Sequence, residues 1–264
     1  MEIKEYVLSR KKKLFETIKV MKTKPHLAIL QVNDDDATNA YIKGKMKDAD
    51  ELGVLVTHLK LPVETKECEI LKVVESLNND DEIHGFIVQL PLPKHVDSEK
   101  IRVAINPKKD VDGFHPLSTL KACTPRGILD YLKHLKVDLV GKNAVIIGRS
   151  FIVGRPMAKL LIDESANVTV LHSKTKREDM YNFLEMADIV VVAVGQKWLL
   201  NDDHTFKETA IIIDVGLSRV DGVLYGDVQP GRNVFLQTPV PGGVGLLTRL
   251  ALFENLVEIM KNEI

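Results

Sequence analysis

The chain has 264 residues, 45% of them hydrophobic and 28% charged, which is the composition of an ordinary globular protein and excludes extended disorder. Its formal net charge of −1 gives no electrostatic reason to expect nucleic acid as the main partner. Two cysteines without metal-ligand spacing, no visible signal peptide and no uncharged run long enough to span a bilayer lead us to expect a reduced cytoplasmic protein with no membrane partner.

The first half of the chain alternates helical and strand patterns. Residues 2–22 predict a helix whose buried stripe is Ile3, Leu8, Leu14, Ile18 and Met21. Strands are predicted at 26–32, 55–61 and 84–90, and helices at 38–52, 66–77 and 98–105. This βαβαβ order implies a parallel sheet with right-handed crossovers. The acidic stretch 33–36 lacks the spacing of a calcium loop, so we interpret it as a turn and a helix cap.

A second α/β block follows the polar loop 106–116. Helices are predicted at 126–135, 157–162, 177–186 and 246–261, and strands at 144–147, 167–171, 189–194 and 209–214. The last helix has no strand after it in its own block. We therefore expect it to return and pack on the first domain beside the N-terminal helix, with a cleft between the two domains as a ligand site. The predicted domains are 1–120, completed by 246–264, and a Rossmann-like domain at 121–245.

A glycine-containing turn leads from the apolar strand 144–147 into the next helix. Gly148, Ser150 and Gly154 stand in this turn, with Arg149 and Val153 between them. A strand, a tight turn and a helix N-terminus together offer backbone N–H groups and a positive dipole end to the pyrophosphate of a dinucleotide. The glycines depart from the standard fingerprint, so a turn that binds nothing remains the alternative.

The residues after the following strand favour NADP over NAD. NAD-binding units carry an acidic residue about 20 positions beyond the glycines, where it holds the ribose 2′-hydroxyl. Here that region reads His172, Ser173, Lys174 and contains no carboxylate. Three side chains could donate hydrogen bonds to a 2′-phosphate, namely those of Arg149, Ser173 and Lys174.

Polar residues in the first domain are candidates for chemistry. Tyr41 and Lys45 are four residues apart and share one face of a predicted helix. Gln89 ends the third strand, at the edge where α/β proteins bind ligands. Asp110, Asp112 and His115 could form a metal site, but their local spacing matches no strong ligand pattern. A solvated surface lysine is the alternative for Lys45.

Six motifs in this order resemble the bifunctional methylenetetrahydrofolate dehydrogenase/methenyltetrahydrofolate cyclohydrolase family, and together they cover essentially the whole chain. They are Tyr41-Ile42-Lys43-Gly44-Lys45, Gly85-Phe86-Ile87-Val88-Gln89-Leu90-Pro91-Leu92-Pro93, Lys109-Asp110-Val111-Asp112-Gly113-Phe114, Gly148-Arg149-Ser150 with Ile152-Val153-Gly154, His172-Ser173-Lys174-Thr175, and Thr238-Pro239-Val240-Pro241-Gly242-Gly243-Val244-Gly245.

The resemblance implies a folate-binding catalytic domain at 1–120 and an NADP-binding domain at 121–245. It implies oxidation of 5,10-methylenetetrahydrofolate and hydrolysis of the methenyl product to 10-formyltetrahydrofolate, and it suggests a homodimer. No metal is implied. The implied catalytic residues are Lys45, Gln89 and Asp112. Substrate would be bound by Tyr41, Gln89, Leu90, Asp112, Pro241, Gly242 and Gly243, and NADP by Gly148, Arg149, Ser150, Val153, Gly154, His172, Ser173, Lys174 and Leu217.

The chain departs from the family pattern outside this proposed catalytic set. Arg249 stands where a small apolar residue is typical, and Asn33 replaces a usual glycine. Two rival functions also stay open at this stage. One is an NADP oxidoreductase acting on another small carbonyl or imine, and the other is a nucleotide-sensing protein that has lost the chemistry. Tyr41, Lys45, Gln89 and Asp112 argue against the first, and the presence of Lys45 and Gln89 argues against the second.

Overall fold

A computed structural model describes residues 2–262 of the chain. Met1 and the last two residues of the predicted segment 246–264 lie outside the described residues. The helices are α1 Ile3–Lys19, α2 Asp36–Leu52, α3 Glu67–Asn78, α4 Ser98–Ala104, α5 Cys123–His134, α6 Gly154–Asp163, α7 Arg177–Met186 and α8 Val244–Asn262. The strands are β1 His26–Gln31, β2 Leu55–Lys60, β3 Gly85–Val88, β4 Asn143–Ile147, β5 Asn167–Leu171, β6 Ile189–Val192, β7 Ile211–Asp214, β8 Ser218–Val220, β9 Val223–Tyr225 and β10 Leu236–Gln237.

The chain divides into two compact units, each built on a parallel sheet. The first, here called the three-stranded unit, comprises Leu8–Cys123 and Arg249–Ile264. The second, the five-stranded unit, comprises Met1–Val7 and Thr124–Thr248. Helices alternate with strands in both units, which confirms the predicted α/β class.

The three-stranded unit has the strand order β2-β1-β3, with every pairing parallel. Ala28 and Leu30 of β1 pack with Phe86 and Val88 of β3 in one apolar cluster, which also contains the inner faces of α3 and α4. Helix α8 contributes to this unit as well, because Glu254 of α8 accepts from Arg10 of α1 at 2.6 Å. The parallel order predicted from the βαβαβ pattern is confirmed.

The five-stranded unit has the order β10-β7-β6-β4-β5, again with parallel pairings. Successive residues of β4, which pairs with β6 on one side and β5 on the other, enter different cores: Ala144 and Ile146 pack in one apolar cluster, and Val145 and Ile147 in the other. A strand buried on both faces explains why 144–147 is a continuous apolar run. The sheet therefore carries packed layers on both sides, as a Rossmann-like unit requires.

The hairpin of β8 and β9 was absent from the predicted elements. These strands pair antiparallel, and the turn between them holds Asp221 at φ 50° and Gly222 at φ 79°. Two consecutive positive φ values define the tight turn that Asp-Gly favours, so this dipeptide was the available sequence signal. Short strands that alternate weakly in hydrophobicity give little other indication.

The predicted buried stripe of the first helix was wrong at Leu8, whose surface is 71% exposed. Ile3, Leu14 and Ile18 are buried as expected, and Met21 lies beyond the end of α1. Val7 is buried instead of its neighbour. The reason is geometric, because residues 3, 7, 14 and 18 follow helical spacing on one face, and residue 8 lies off that face.

Among the helices in residues 2–262, none combines the length and the apolar character needed to cross a bilayer.

Candidate active site

Lys45 and Gln89 form a buried pair within the three-stranded unit. Lys45 lies on α2, which begins after Asp35, whose carboxylate accepts from the backbone N–H of Thr38 at 2.8 Å and caps the helix. Gln89 follows β3 directly, at the carboxyl edge of the sheet. The Lys45 Nζ donates to Gln89 Oε1 at 3.0 Å, and only 5% of the Lys45 surface is exposed. A surface lysine is therefore excluded.

Tyr41 shares the face of α2 that carries Lys45. The Lys45 Nζ lies 4.9 Å from the centroid of the Tyr41 ring, which is within the range of a cation–π contact. The predicted common face of these two side chains is therefore present in the structure. Leu90 is half-buried and follows Gln89, whose side-chain amide donates to the Leu90 carbonyl at 2.8 Å. This hydrogen bond orients the Gln89 amide so that its oxygen faces Lys45.

Asp112 lies in the loop that follows β3 and α4. The backbone carbonyl of Asp112 accepts from Cys123 N at 3.2 Å. The adjacent Gly113, at φ 70°, leaves no room for a side chain, because a Cβ there would lie 2.7 Å from the carbonyl oxygen of Lys121. The loop is thus held against the segment before α5.

Lys45 and Asp112 perturb each other electrostatically. Burial lowers the pKa of Lys45; the charge of Asp112 and Cys123 opposes this lowering, and Arg249 adds to it. Desolvation raises the pKa of Asp112 to about 6, against the opposing effect of the Lys45 charge. A lysine with a lowered pKa and a carboxyl group with a pKa of about 6 are both suited to proton transfer near neutral pH.

The local metal site considered from the sequence is not formed by its candidate ligands. Both oxygens of Asp110 are occupied within their own loop, since Oδ1 accepts from Gly113 N at 3.1 Å and Oδ2 from His115 N at 2.7 Å. The His115 ring accepts from the backbone of Leu117 at 3.0 Å. Within residues 2–262, no group of three His, Cys, Asp or Glu side chains is arranged to hold a metal ion. These residues shape a turn.

In the five-stranded unit, the turn between β4 and α6 is drawn tightly together. Gly148 has φ 117°, and a Cβ on it would lie 2.5 Å from the carbonyl oxygen of Ala193. A Cβ on Gly154 would lie 2.2 Å from the Gly148 carbonyl oxygen. Ser150 closes the turn by accepting from Val153 N at 3.1 Å. Both glycines are thus required by close backbone approach, and the irregular spacing still gives a compact turn at a helix N-terminus.

The other predicted cofactor residues lie at the same edge of this sheet. Parallel pairing of Ile147 with Leu171 places the segment after β5 beside the β4 turn, and Gly148 N donates to the Leu171 carbonyl at 2.9 Å. In this segment Ser173 and Lys174 are exposed, and the His172 ring accepts from Lys174 N at 3.2 Å. Arg149 in the turn is exposed, and Leu217, just beyond β7, is 53% exposed.

The turn between β4 and α6, with the segment after β5, has the features of a binding site for a dinucleotide phosphate. The backbone at Gly148 and Gly154 carries no side chain that would fill the turn, and the N-terminus of α6 supplies a positive dipole end. Arg149, Ser173 and Lys174 supply exposed donors at the same edge.

Pro241, Gly242 and Gly243 belong to the five-stranded unit, immediately before α8. Gly242 has φ 93°, and a Cβ on Gly243 would lie 2.2 Å from the Pro239 carbonyl oxygen. These three residues therefore form a tight turn. The other predicted substrate residues, Tyr41, Gln89, Leu90 and Asp112, belong to the three-stranded unit.

A pair of buried aspartates that sequence reasoning missed holds the loop after β6. Asp227 Oδ2 accepts from Val194 N at 2.6 Å and Gly195 N at 3.1 Å, and its Oδ1 accepts from Gln196 N at 2.6 Å. Asp214 in turn accepts from the backbone N–H groups of Asp227 and Val228, both at 2.9 Å. Burial raises the pKa of Asp214 to about 6. The visible signal was an acidic residue closing the apolar run of β7.

Comparison with known proteins assigns both parts of the chain to one family. Residues 1–112 match the family model for the catalytic domain of tetrahydrofolate dehydrogenase/cyclohydrolase, and residues 122–264 match the NAD(P)-binding domain of the same family. The chain is 44% identical over 256 residues to the bifunctional protein FolD of Exiguobacterium sibiricum, covering 92% of this chain and 91% of that one.

Solved structures agree as well. The bifunctional FolD methylenetetrahydrofolate dehydrogenase/cyclohydrolase of Campylobacter jejuni is 39% identical with a TM-score of 0.93, covering 98% of this chain and 97% of that one. The Trypanosoma brucei methylenetetrahydrofolate dehydrogenase-cyclohydrolase, solved with NADP and an inhibitor, is 30% identical with a TM-score of 0.94, covering 100% of this chain and 97% of that one. With both halves of the chain matched, the protein belongs to the tetrahydrofolate dehydrogenase/cyclohydrolase family.

Proposed function

We propose that this protein oxidises 5,10-methylenetetrahydrofolate to 5,10-methenyltetrahydrofolate with NADP and hydrolyses the product to 10-formyltetrahydrofolate. The observation that carries this function is the buried Lys45–Gln89 pair beside Tyr41 and Asp112, in a chain of this family. NADP, when bound, accepts the hydride that leaves the one-carbon bridge. The chain's own residues bind the folate, orient it and move protons.

Lys45 is the proton-transfer residue of the hydrolysis, since the oxidation moves a hydride and no proton. Its buried ammonium loses a proton more readily than a solvated lysine, because burial lowers its pKa. The hydrogen bond from Nζ to Gln89 Oε1 at 3.0 Å directs the amine. In the hydrolysis, the neutral amine accepts a proton from the water that adds to the methenyl carbon. As the bond from that carbon to N5 breaks, the ammonium donates this proton to N5, and the hydroxyl of the adduct releases its proton to solvent to leave the formyl group on N10. Lys45 therefore acts first as the base and then as the acid of the hydrolysis.

Asp112 and Tyr41 hold the two ends of the folate. The Asp112 carboxylate accepts two hydrogen bonds from the amino-pyrimidine edge of the pterin, a geometry that suits a planar carboxylate. The Tyr41 ring offers its face to the aminobenzoyl group, with Leu90 as an apolar neighbour. Pro241, Gly242 and Gly243 are assigned to the substrate by family resemblance.

NADP is assigned to the β4–α6 turn and the segment after β5. Gly148, Ser150, Val153 and Gly154 form the turn for the pyrophosphate. Arg149, Ser173 and Lys174 hold the 2′-phosphate; His172 and Leu217 complete the set by family resemblance. The absence of a carboxylate from the segment that follows β5 supports NADP over NAD.

The function is tested by supplying purified protein with methylenetetrahydrofolate and either NADP or NAD. We expect NADPH absorbance to rise, and the rate with NAD to be lower, because a 2′-phosphate adds charge-assisted hydrogen bonds to Arg149 and Ser173. Loss of methenyltetrahydrofolate absorbance measures the second reaction. Without a rise in NADPH at saturating substrate the dehydrogenase assignment fails, and equal rates with both cofactors would remove Arg149 and Ser173 from cofactor selection.

Folate binding is expected to weaken below about pH 6, because Asp112 accepts hydrogen bonds from the pterin as a carboxylate and its pKa is about 6. Affinity falls as the pH is lowered because Asp112 is charged above about pH 6 and neutral below it. Calorimetric titration with folic acid should give a Kd about tenfold higher at pH 5 than at pH 7.5. The Asp112→Asn variant should bind weakly at both pH values. An unchanged Kd in the wild-type protein would exclude Asp112 from pterin binding.

We also propose a cytoplasmic homodimer that associates through the five-stranded unit, on the basis of family resemblance. Light scattering of the purified protein measures its oligomeric state, and a monomer at micromolar concentration would contradict the proposed homodimer.

A further inference from the structure

The guanidinium of Arg249 lies directly on helix α2 at the residue before Lys45. That residue is Gly44, and a Cβ built on it would lie 2.3 Å from Arg249 Nη1 and 3.1 Å from Arg249 Cζ. Any other residue at position 44 would therefore displace the guanidinium. The glycine leaves the space that the arginine of α8 occupies.

The same arginine pairs with Asp48, one helical turn beyond Gly44. Arg249 Nε lies 2.7 Å from Asp48 Oδ2, and Lys11 Nζ of α1 donates to Asp48 Oδ1 at 2.5 Å. The Asp48 side chain is only 4% exposed and that of Arg249 22%. A buried carboxylate with two cationic partners ties α1, α2 and α8 of the three-stranded unit together, and losing one partner from such a group is costly.

We infer that Arg249 is a positioning residue for Lys45, which fixes the α2 turn through Gly44 and Asp48 and places a second positive charge beside the Lys45 ammonium. The inference rests on the proposed role of Lys45. It goes beyond that role because it assigns a function to a residue that stands where small apolar residues are typical of the family.

The charges around Lys45 agree with this arrangement. Burial lowers the pKa of Lys45, the charge of Asp112 and Cys123 raises it, and the charge of Arg249 lowers it. Asp110 acts on Asp112, and Asp48 and Lys11 lie around Arg249. Asp112 and Cys123 favour the protonated form of Lys45. Arg249 opposes them, so the amine stays available to accept a proton from water.

The test is the pH dependence of kcat for methenyltetrahydrofolate hydrolysis, corrected for the uncatalysed rate. In the wild-type protein, kcat rises with pH as Lys45 loses its proton. We expect this rising limb to move by about 0.3 to 1 pH unit to higher pH in Arg249→Met, since the nearby positive charge is gone. Arg249→Lys restores a charge and should return the limb toward its wild-type position. A structural role alone would lower kcat without moving the limb.

The matched control is Arg10→Met, which removes an arginine–carboxylate pair between α1 and α8, in which Arg10 Nη2 lies 2.6 Å from Glu254 Oε1. It should leave the limb in place. If Arg249→Met is too unstable to assay, Arg249→Gln keeps a polar side chain at this position without the charge and carries the same expectation. A limb that stays at the wild-type pH in the charge-free variants overturns the inference. Full activity of a variant without Lys45 would instead overturn the proposed function, so the two failures are distinguishable.

Discussion

The Lys45→Met variant is expected to lose hydrolysis of methenyltetrahydrofolate, with kcat at least about 100-fold below that of the wild-type protein, which is the lower end of what a positioned acid–base group contributes. Methionine keeps the length and apolar stem of the side chain and removes only the amine that bonds to Gln89. Stopped-flow absorbance of methenyltetrahydrofolate measures the loss.

The same substitution should leave the free energy of unfolding equal or higher. Burial disfavours the charged form of Lys45, as the lowered pKa shows, so a neutral side chain of similar volume removes an unfavourable contribution to folding. Lost activity together with unchanged or raised stability separates a catalytic role from a structural one, and thermal denaturation provides the second measurement.

Lys47→Met is the matched control for this variant. Lys47 lies on the same helix two residues further on, and its side chain is 77% exposed, with Glu51 at 3.9 Å as its ion-pair partner. Removing it should change kcat little, since exposed ion pairs contribute little. Activity of Lys45→Met equal to that of Lys47→Met would exclude Lys45 from the mechanism.

The placement of Lys45 was predictable from sequence, but its environment was not. The four-residue spacing from Tyr41 fixes a common helix face, and Gln89 follows a buried strand, so both positions follow from local periodicity. The electrostatic influences on Lys45 come from Asp112, Cys123 and Arg249, which are distant in sequence. No window of neighbouring residues contains that information.

The compact turn at Gly148 and Gly154 shows the same limit. The strand–turn–helix pattern predicted its position, although the spacing of the glycines is irregular. The reason for that spacing became visible only in three dimensions, where Gly154 packs on the Gly148 carbonyl oxygen and Gly148 on that of Ala193. The Asp227 carboxylate escaped prediction for the same reason, since its partners, 194–196, precede it by some 30 residues.

Asp227→Asn is expected to lower both the free energy of unfolding and the affinity for NADP. An amide offers one acceptor atom, whereas the Asp227 carboxylate uses both of its oxygens to accept three backbone N–H groups. The asparagine NH₂ would face backbone N–H donors. Its side chain could not rotate away, because Asp227 is fully buried and packs against Gly216 so closely that a Cβ there would lie within 2.1 Å of either carboxylate oxygen. Hydrogen bonds to a buried charged group suggest a loss of about 2 to 4 kcal/mol in the free energy of unfolding, measured by urea denaturation.

The effect on NADP follows from what the loop touches. Residues 194–196 continue from Ala193, whose carbonyl oxygen packs against Gly148 in the turn assigned to the pyrophosphate. A loop that loses its anchor should raise the Kd for NADP, measured by calorimetry, and leave the Kd for folic acid unchanged, because the proposed pterin carboxylate belongs to the other unit. Asp221→Asn is the matched control: Asp221 is exposed at φ 50°, a conformation that asparagine adopts readily, so neither quantity should change. If Asp227→Asn lowered stability but bound NADP as tightly as the wild-type protein, the loop after β6 would be a structural element of the sheet edge and not a part of the cofactor site.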